Sequence, residues 1–139
     1  MDVFSKEKRS EVMSRIKGRD TKLEVKVRSQ LFRDGFRFRK NDKRYPGKPD
    51  ILLPKYKTAI FINGCFWHNH ASCNYAYIPK TRRKFWIEKF EKNKDRDRKN
   101  LRLLKNMGWK VLVYWECQLK KNFETCLSKL KSNLSPIDY

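Results

Sequence analysis

What this sequence has little of narrows its class first. Five glycines, five prolines and no Gly/Ser tract or internal repeat leave no linker and no solenoid, so the 139 residues read as one domain, 1–139. No apolar run approaches the roughly 18 residues that span a bilayer, and Met1 to Arg9 is polar with no apolar stretch behind its charges. The cytosol is therefore the expected compartment, with no membrane partner. Cysteine is scarce as well, at four residues, in a chain long enough to bury a modest core without disulfides. Acidic side chains are the scarcest relative to their opposites: 15 Asp and Glu face 35 Lys and Arg, a net charge of +20.

That imbalance points to a polyanion. Lys and Arg that neutralise phosphates release condensed counterions, which favours nucleic acid. The 14% aromatic content can supply core mass, base stacking or wedges. An anionic membrane is the weaker partner, because no basic helix carries a wide apolar face.

Along the chain, Ser5 to Lys17 has a helical pattern whose apolar residues are only Val12, Met13 and Ile16. So sparse a stripe packs weakly, and residues 1–19 read as an arm set off by Gly18-Arg19-Asp20. Thr21 and Glu24 form a capping box for a helix whose face is Leu23, Val27 and Leu31, with Gly35 as its stop. Phe36 and Phe38 alternate with Arg37 and Arg39 like a strand, and Tyr45 to Pro49 is a turn. The runs Asp50 to Leu53 and Thr58 to Ile62 predict a hairpin of central strands. A long helix is expected from about Arg82 to Met107, capped by Thr81 and stopped by Gly108. Lys110 to Trp115 is a further strand, and Phe123, Leu127, Leu130 and Leu134 mark a last helix. This order predicts an α/β domain with helices flanking a mixed sheet.

Cys65, His70 and Cys73 lie within nine residues, and Cys117 follows the last predicted strand. Cytosolic cysteines grouped with histidine suit tetrahedral zinc. His68 competes with His70 for ligation, since only one of them completes four, and Cys126 fits better as a small buried residue. Asp50 stands at a strand start beside a loop, where a carboxylate is costly to bury without a cation. Magnesium would compensate it, and phosphodiester cleavage needs such a Lewis acid, a positioned water and a proton acceptor. Glu24 and His68 are the other available parts, although Glu24 alone would pass for a capping residue.

At these residues the chain resembles the very-short-patch-repair (Vsr) mismatch endonucleases. The resemblance rests on Thr21-Lys22-Leu23-Glu24, Pro46-Gly47-Lys48-Pro49-Asp50, Gly64-Cys65-Phe66-Trp67-His68 with His70 and Cys73, Thr81-Arg82 before Phe85-Trp86, Arg96-Asp97-Arg98, and Gly108-Trp109 ahead of Trp115-Glu116-Cys117. It implies a fold like that of type II restriction endonucleases and magnesium-dependent nicking 5′ to the T of a T:G mismatch in double-stranded DNA. It further implies magnesium on Asp50 and the backbone carbonyl of Ile62, His68 as general base supported by Asp97, and Glu24 in the hydrated metal shell. Cys65, His70, Cys73 and Cys117 would hold a structural zinc. Phe66, Trp67 and Trp86 would wedge beside the mismatch, and Met13 and Ile16 would clamp the minor groove. A monomer is expected, with mismatch-repair proteins as further partners. Asn63 departs from the pattern, standing where the family usually has a second histidine, and one extra residue lies between His70 and Cys73. Two other functions compete: a Vsr-like nuclease with a restriction or homing target, and a non-catalytic zinc-stabilised DNA-binding protein.

Overall fold

A computed structural model of the chain describes residues 22–66, 68, 70 and 77–134. The predicted arm, Met13 and Ile16 with it, lies outside these residues, as do Thr21, Trp67 and Cys73.

Helix α1, Lys22–Arg33, turns Glu24, Val27, Arg28 and Leu31 inward at helical spacing. Two short strands follow, β1 (Ile51–Leu53) and β2 (Thr58–Asn63), joined by a 3-10 turn at Pro54–Tyr56. They pair antiparallel with Ile51 opposite Ile60, so the expected hairpin is present. The long helix α2, Arg83–Asn106, leads to β3, Lys110–Trp115. Parallel pairing of β3 with β2 sets Thr58 opposite Lys110 and Asn63 opposite Trp115. The sheet order is β1-β2-β3, a small mixed sheet with β2 at its centre.

Both faces of β2 are covered, which explains its unbroken apolar run. On one face Ile51, Leu53, Ile60 and Ile62 pack with Val27 and Leu31 of α1 and with the C-terminal helices α3 (Glu116–Lys121) and α4 (Phe123–Ser132). On the other face Leu52 and Ala59 pack with Leu104 of α2 and with Trp109. The α/β architecture expected from the sequence is thus the one observed.

Three local expectations are corrected. Residues 36–39 form no strand: Arg39 makes a single bridge to Leu52, while the Phe36 N–H closes α1 by donating to the Leu31 carbonyl. Phe36 and Phe38 still pack against the core, so their alternation reported burial rather than a ladder. Thr81 is not the cap of α2, which starts from Arg82 in the left-handed region without a side-chain cap. Helix α3 was not foreseen, because a six-residue element with one buried apolar residue, Leu119, is too short to show a period.

Ile60 is fully buried whereas Val25 on the outer side of α1 is 46% exposed. Ile60→Ala is expected to cost about 2–5 kcal/mol in urea unfolding and Val25→Ala less than about 0.5 kcal/mol.

Candidate active site and metal centre

The parallel register of β2 and β3 builds the site. Because Asn63 lies opposite Trp115, β2 and β3 leave the sheet side by side, and Cys65 and Cys117 follow at equal offsets. The Glu116 carboxylate accepts the Cys65 N–H at 3.3 Å, linking the two exits. After Cys65 the chain turns tightly: the His68 N–H donates to the Gly64 carbonyl at 3.1 Å and the His70 N–H to that of Cys65 at 3.0 Å. This turn carries His70 back over the thiols.

His70 Nδ1 lies 3.7 Å from Cys65 Sγ and 3.5 Å from Cys117 Sγ. In tetrahedral zinc sites, metal–ligand bonds near 2.0–2.3 Å place neighbouring donors roughly 3.3–3.8 Å apart, so this spacing fits the ion. Cys65, His70 and Cys117 are the one such group among the described residues, with donor atoms within 4.8 Å of one another. His70, not His68, faces the thiols. The imidazole stacks flat on Trp115, with centroids 3.9 Å apart and planes 7° from parallel. Cys126 stays apart, its thiol against the Gln118 carbonyl at 3.6 Å.

His68 points the other way. Its Nδ1 is 2.5 Å from Asp97 Oδ2, in the middle of α2, and both side chains are partly exposed. A carboxylate can only accept, so Nδ1 carries the hydrogen of this contact and Nε2 is the ring nitrogen that Asp97 does not engage. Trp115 also meets the His68 ring edge-on at 6.2 Å.

Asp50 immediately precedes β1, and its Oδ2 accepts the Ile62 N–H across the sheet at 2.6 Å. Its carboxylate is thereby fixed beside the Ile62 peptide, where an acid and a backbone carbonyl offer the hard oxygens that magnesium takes. Glu24 is buried, with Arg28 one turn on at 4.0 Å. Asp50, Glu24 and His68 do not gather into a three-way cluster like that of the thiols; each is engaged by its own neighbour.

Phe66 has a packing reason that sequence reading missed. It is only 5% exposed and meets the edge of Phe90 at 5.5 Å, with Trp86 at 5.5 Å and Tyr77 at 5.1 Å around it. Phe85, 41% exposed, extends this cluster outward from Trp86 under the Arg82 guanidinium. The i, i+4 pair Trp86 and Phe90 was the available signal. Trp115 and Glu116 were missed as supports too; their adjacency to Cys117 at a strand end was the clue.

A family model described as DNA mismatch endonuclease Vsr matches residues 1–75. The type II nicking enzyme V.NmeAIP of Neisseria meningitidis serogroup A is 56% identical over 129 residues, covering 93% of this chain and 91% of the relative. The DNA mismatch endonuclease Vsr of Escherichia coli K12 is 44% identical over 119 residues, covering 86% and 76%. The type II nicking enzyme V.XorIIP of Xanthomonas oryzae is 37% identical over 135 residues, covering 97% and 98%.

The thiol–imidazole cluster can be tested for metal directly. The protein is expected to bind one equivalent of zinc, and Cys117→Ser to weaken it by more than the roughly 10–100-fold that loss of a supporting partner costs, read by competition with a chromophoric chelator.

Proposed function

Since the chain belongs to the Vsr family of DNA endonucleases, we propose that it nicks duplex DNA 5′ to the T of a T:G mismatch, using magnesium held at Asp50. The observation that carries this reading is the pair of engaged groups at neighbouring strand ends: Asp50 tied to the Ile62 peptide, and His68 oriented by Asp97. Oriented base and fixed carboxylate are what phosphodiester hydrolysis requires.

Asp50 and the Ile62 carbonyl would hold magnesium, with Glu24 reached through its waters. When bound, the ion supplies Lewis-acid offset of charge on the phosphate. His68 Nε2 takes the proton of the attacking water as its oxygen bonds to phosphorus and the opposite P–O bond breaks; the departing oxygen leaves with a proton from solvent. Asp97 holds the ring and balances the imidazolium that forms. Zinc on Cys65, His70, Cys73 and Cys117 would pin the turn presenting His68, so its part is positional.

Mismatch selection would fall to Phe66, Trp67 and Trp86. Separating a base step costs a few kcal/mol, less at a mispaired step. Phe66 is packed on Phe90, so in this reading it backs Trp86, which is less deeply buried, and enters the stack only by leaving that contact. Met13 and Ile16 would grip the minor groove. The likeness to two type II nicking enzymes favours cleavage of one strand; mismatch-repair proteins are the further partners to test.

A labelled T:G duplex is expected to be nicked on the T strand at least about tenfold faster than its T:A counterpart. Equal rates would favour the restriction-type target instead. Asp50→Ala should lower nicking by roughly 100- to 1000-fold or more with duplex affinity kept, whereas a binding protein without catalysis would be indifferent to the change. Trp86→Ala should lower T:G over T:A discrimination by roughly tenfold, the scale of one lost stacking contact, while nonspecific affinity changes less.

A further inference from the structure

Lys48 has a positive φ of 49° in a position where that backbone is penalised twice. A side chain with a Cβ pays roughly 1–2 kcal/mol in the left-handed region. The residue before a proline is in addition pushed toward extended backbone, and Pro49 follows. The other non-glycine residues described at positive φ have local reasons: Asn41 is of a type that tolerates the left-handed region, Lys57 ends the 3-10 turn of the hairpin, and Arg82 precedes α2. Glycine at 48 would make the same turn without strain, and the neighbouring position already is glycine. Strain retained at a residue that the backbone does not require is a pointer to what its side chain does.

The turn is held from several sides. A Cβ at Gly47 would stand 3.1 Å from the Phe61 ring and 3.2 Å from Asn100 Cβ, so this loop lies directly against β2 and α2. The Lys48 N–H donates to the Tyr45 carbonyl at 3.1 Å, Tyr45 packs on Trp109 at 5.2 Å, and Pro49 is fully buried. Arg44 holds Asp42 at the base of the loop and lowers its carboxyl to about 2. Asn100 is one helical turn beyond Asp97, roughly 4.5 Å along the axis. The loop therefore lies against α2 within about one turn of Asp97 and runs straight into Asp50.

Lys48 is exposed between these anchors, two residues before Asp50. Its Cα lies at most roughly 7 Å from that of Asp50, and its flexible four-carbon stem adds roughly 6 Å of reach. β2 supplies no cation here: Ile60 and Ile62 are buried in one core and Phe61 packs against the other. Lys57 and Lys110 stand at the opposite end of β2 and β3, where the Lys110 N–H bonds the Lys57 carbonyl.

We propose that Lys48 is the phosphate-binding cation of this active site, placed by the strained Gly47-Lys48-Pro49 turn to pair with a backbone phosphate of the duplex beside Asp50. Its ammonium offsets charge that builds on the phosphoryl oxygens as the water attacks. The inference rests on the reading of Asp50 as the cleavage site, and is independent of T:G selectivity.

Nicking by wild type, Lys48→Gly, Lys48→Arg and Asp50→Ala on one duplex tests it. Lys48→Gly is expected to lose roughly 100-fold in kcat, while its Tm stays level or rises by up to roughly 4 °C as strain is relieved. Its log–log salt slope of duplex binding should fall by about one, the signature of one lost phosphate contact. Lys48→Arg should keep kcat within about tenfold of wild type. Wild-type kcat in Lys48→Gly, an unchanged salt slope, or failure of arginine to rescue overturns the assignment. If Asp50→Ala cuts like wild type, the site reading itself falls and Lys48 with it; an inactive Asp50→Ala beside an active Lys48→Gly sinks Lys48 alone.

Discussion

The parallel pairing of β2 with β3 is the constraint from which the site follows. A parallel ladder brings both strand ends out on the same side of the sheet. With Asn63 opposite Trp115, the turn carrying Cys65, His68 and His70 is laid beside the segment carrying Glu116 and Cys117. Forty-seven positions separate His70 from Cys117, yet two thiols and an imidazole meet because one register is satisfied. A shift of one residue would reverse every side chain of β3 and send Leu112 and Tyr114 away from the core they pack against.

Helix α2 acts as the second ruler. It crosses from the aromatic cluster at Trp86 and Phe90, past Asp97, to Asn100 against Gly47 and Leu104 in the core. Three components of the candidate site, the aromatic patch, the His68–Asp97 pair and the turn before Asp50, thus take their spacing from one rigid element. Its outward side from Arg83 to Lys105 is rich in lysine and arginine, so the same helix that positions the chemistry also contributes to the positive field around it.

Trp115 lies between the thiol–imidazole cluster and the His68–Asp97 pair. It stacks on His70 and touches the edge of His68, and its own N–H is capped by Gln118 Oε1 at 3.0 Å. The two imidazoles, two residues apart, are thereby held on different tasks: one faces the thiols and the other faces Asp97. Spacing alone left that choice open, since either ring could have completed the sulfur cluster.

Periodicity and charge in the sequence were enough to determine much of this protein. The apolar runs of β1, β2 and β3, the inward face of α1, the span of α2 to within a residue or two, and a partner that must be a polyanion all follow from local pattern and from a charge of +20. The chemistry of thiolates and imidazole singled out Cys65, His70 and Cys117 as a set, and the structure brings these three together. Tertiary structure decided the rest, because it depends on contacts between distant residues. Which histidine faces the thiols, that Phe66 is buried, that residues 36–39 bridge only once, and that Lys48 is forced into the left-handed region are outcomes of packing between elements. No period or spacing along a single chain encodes which surfaces meet.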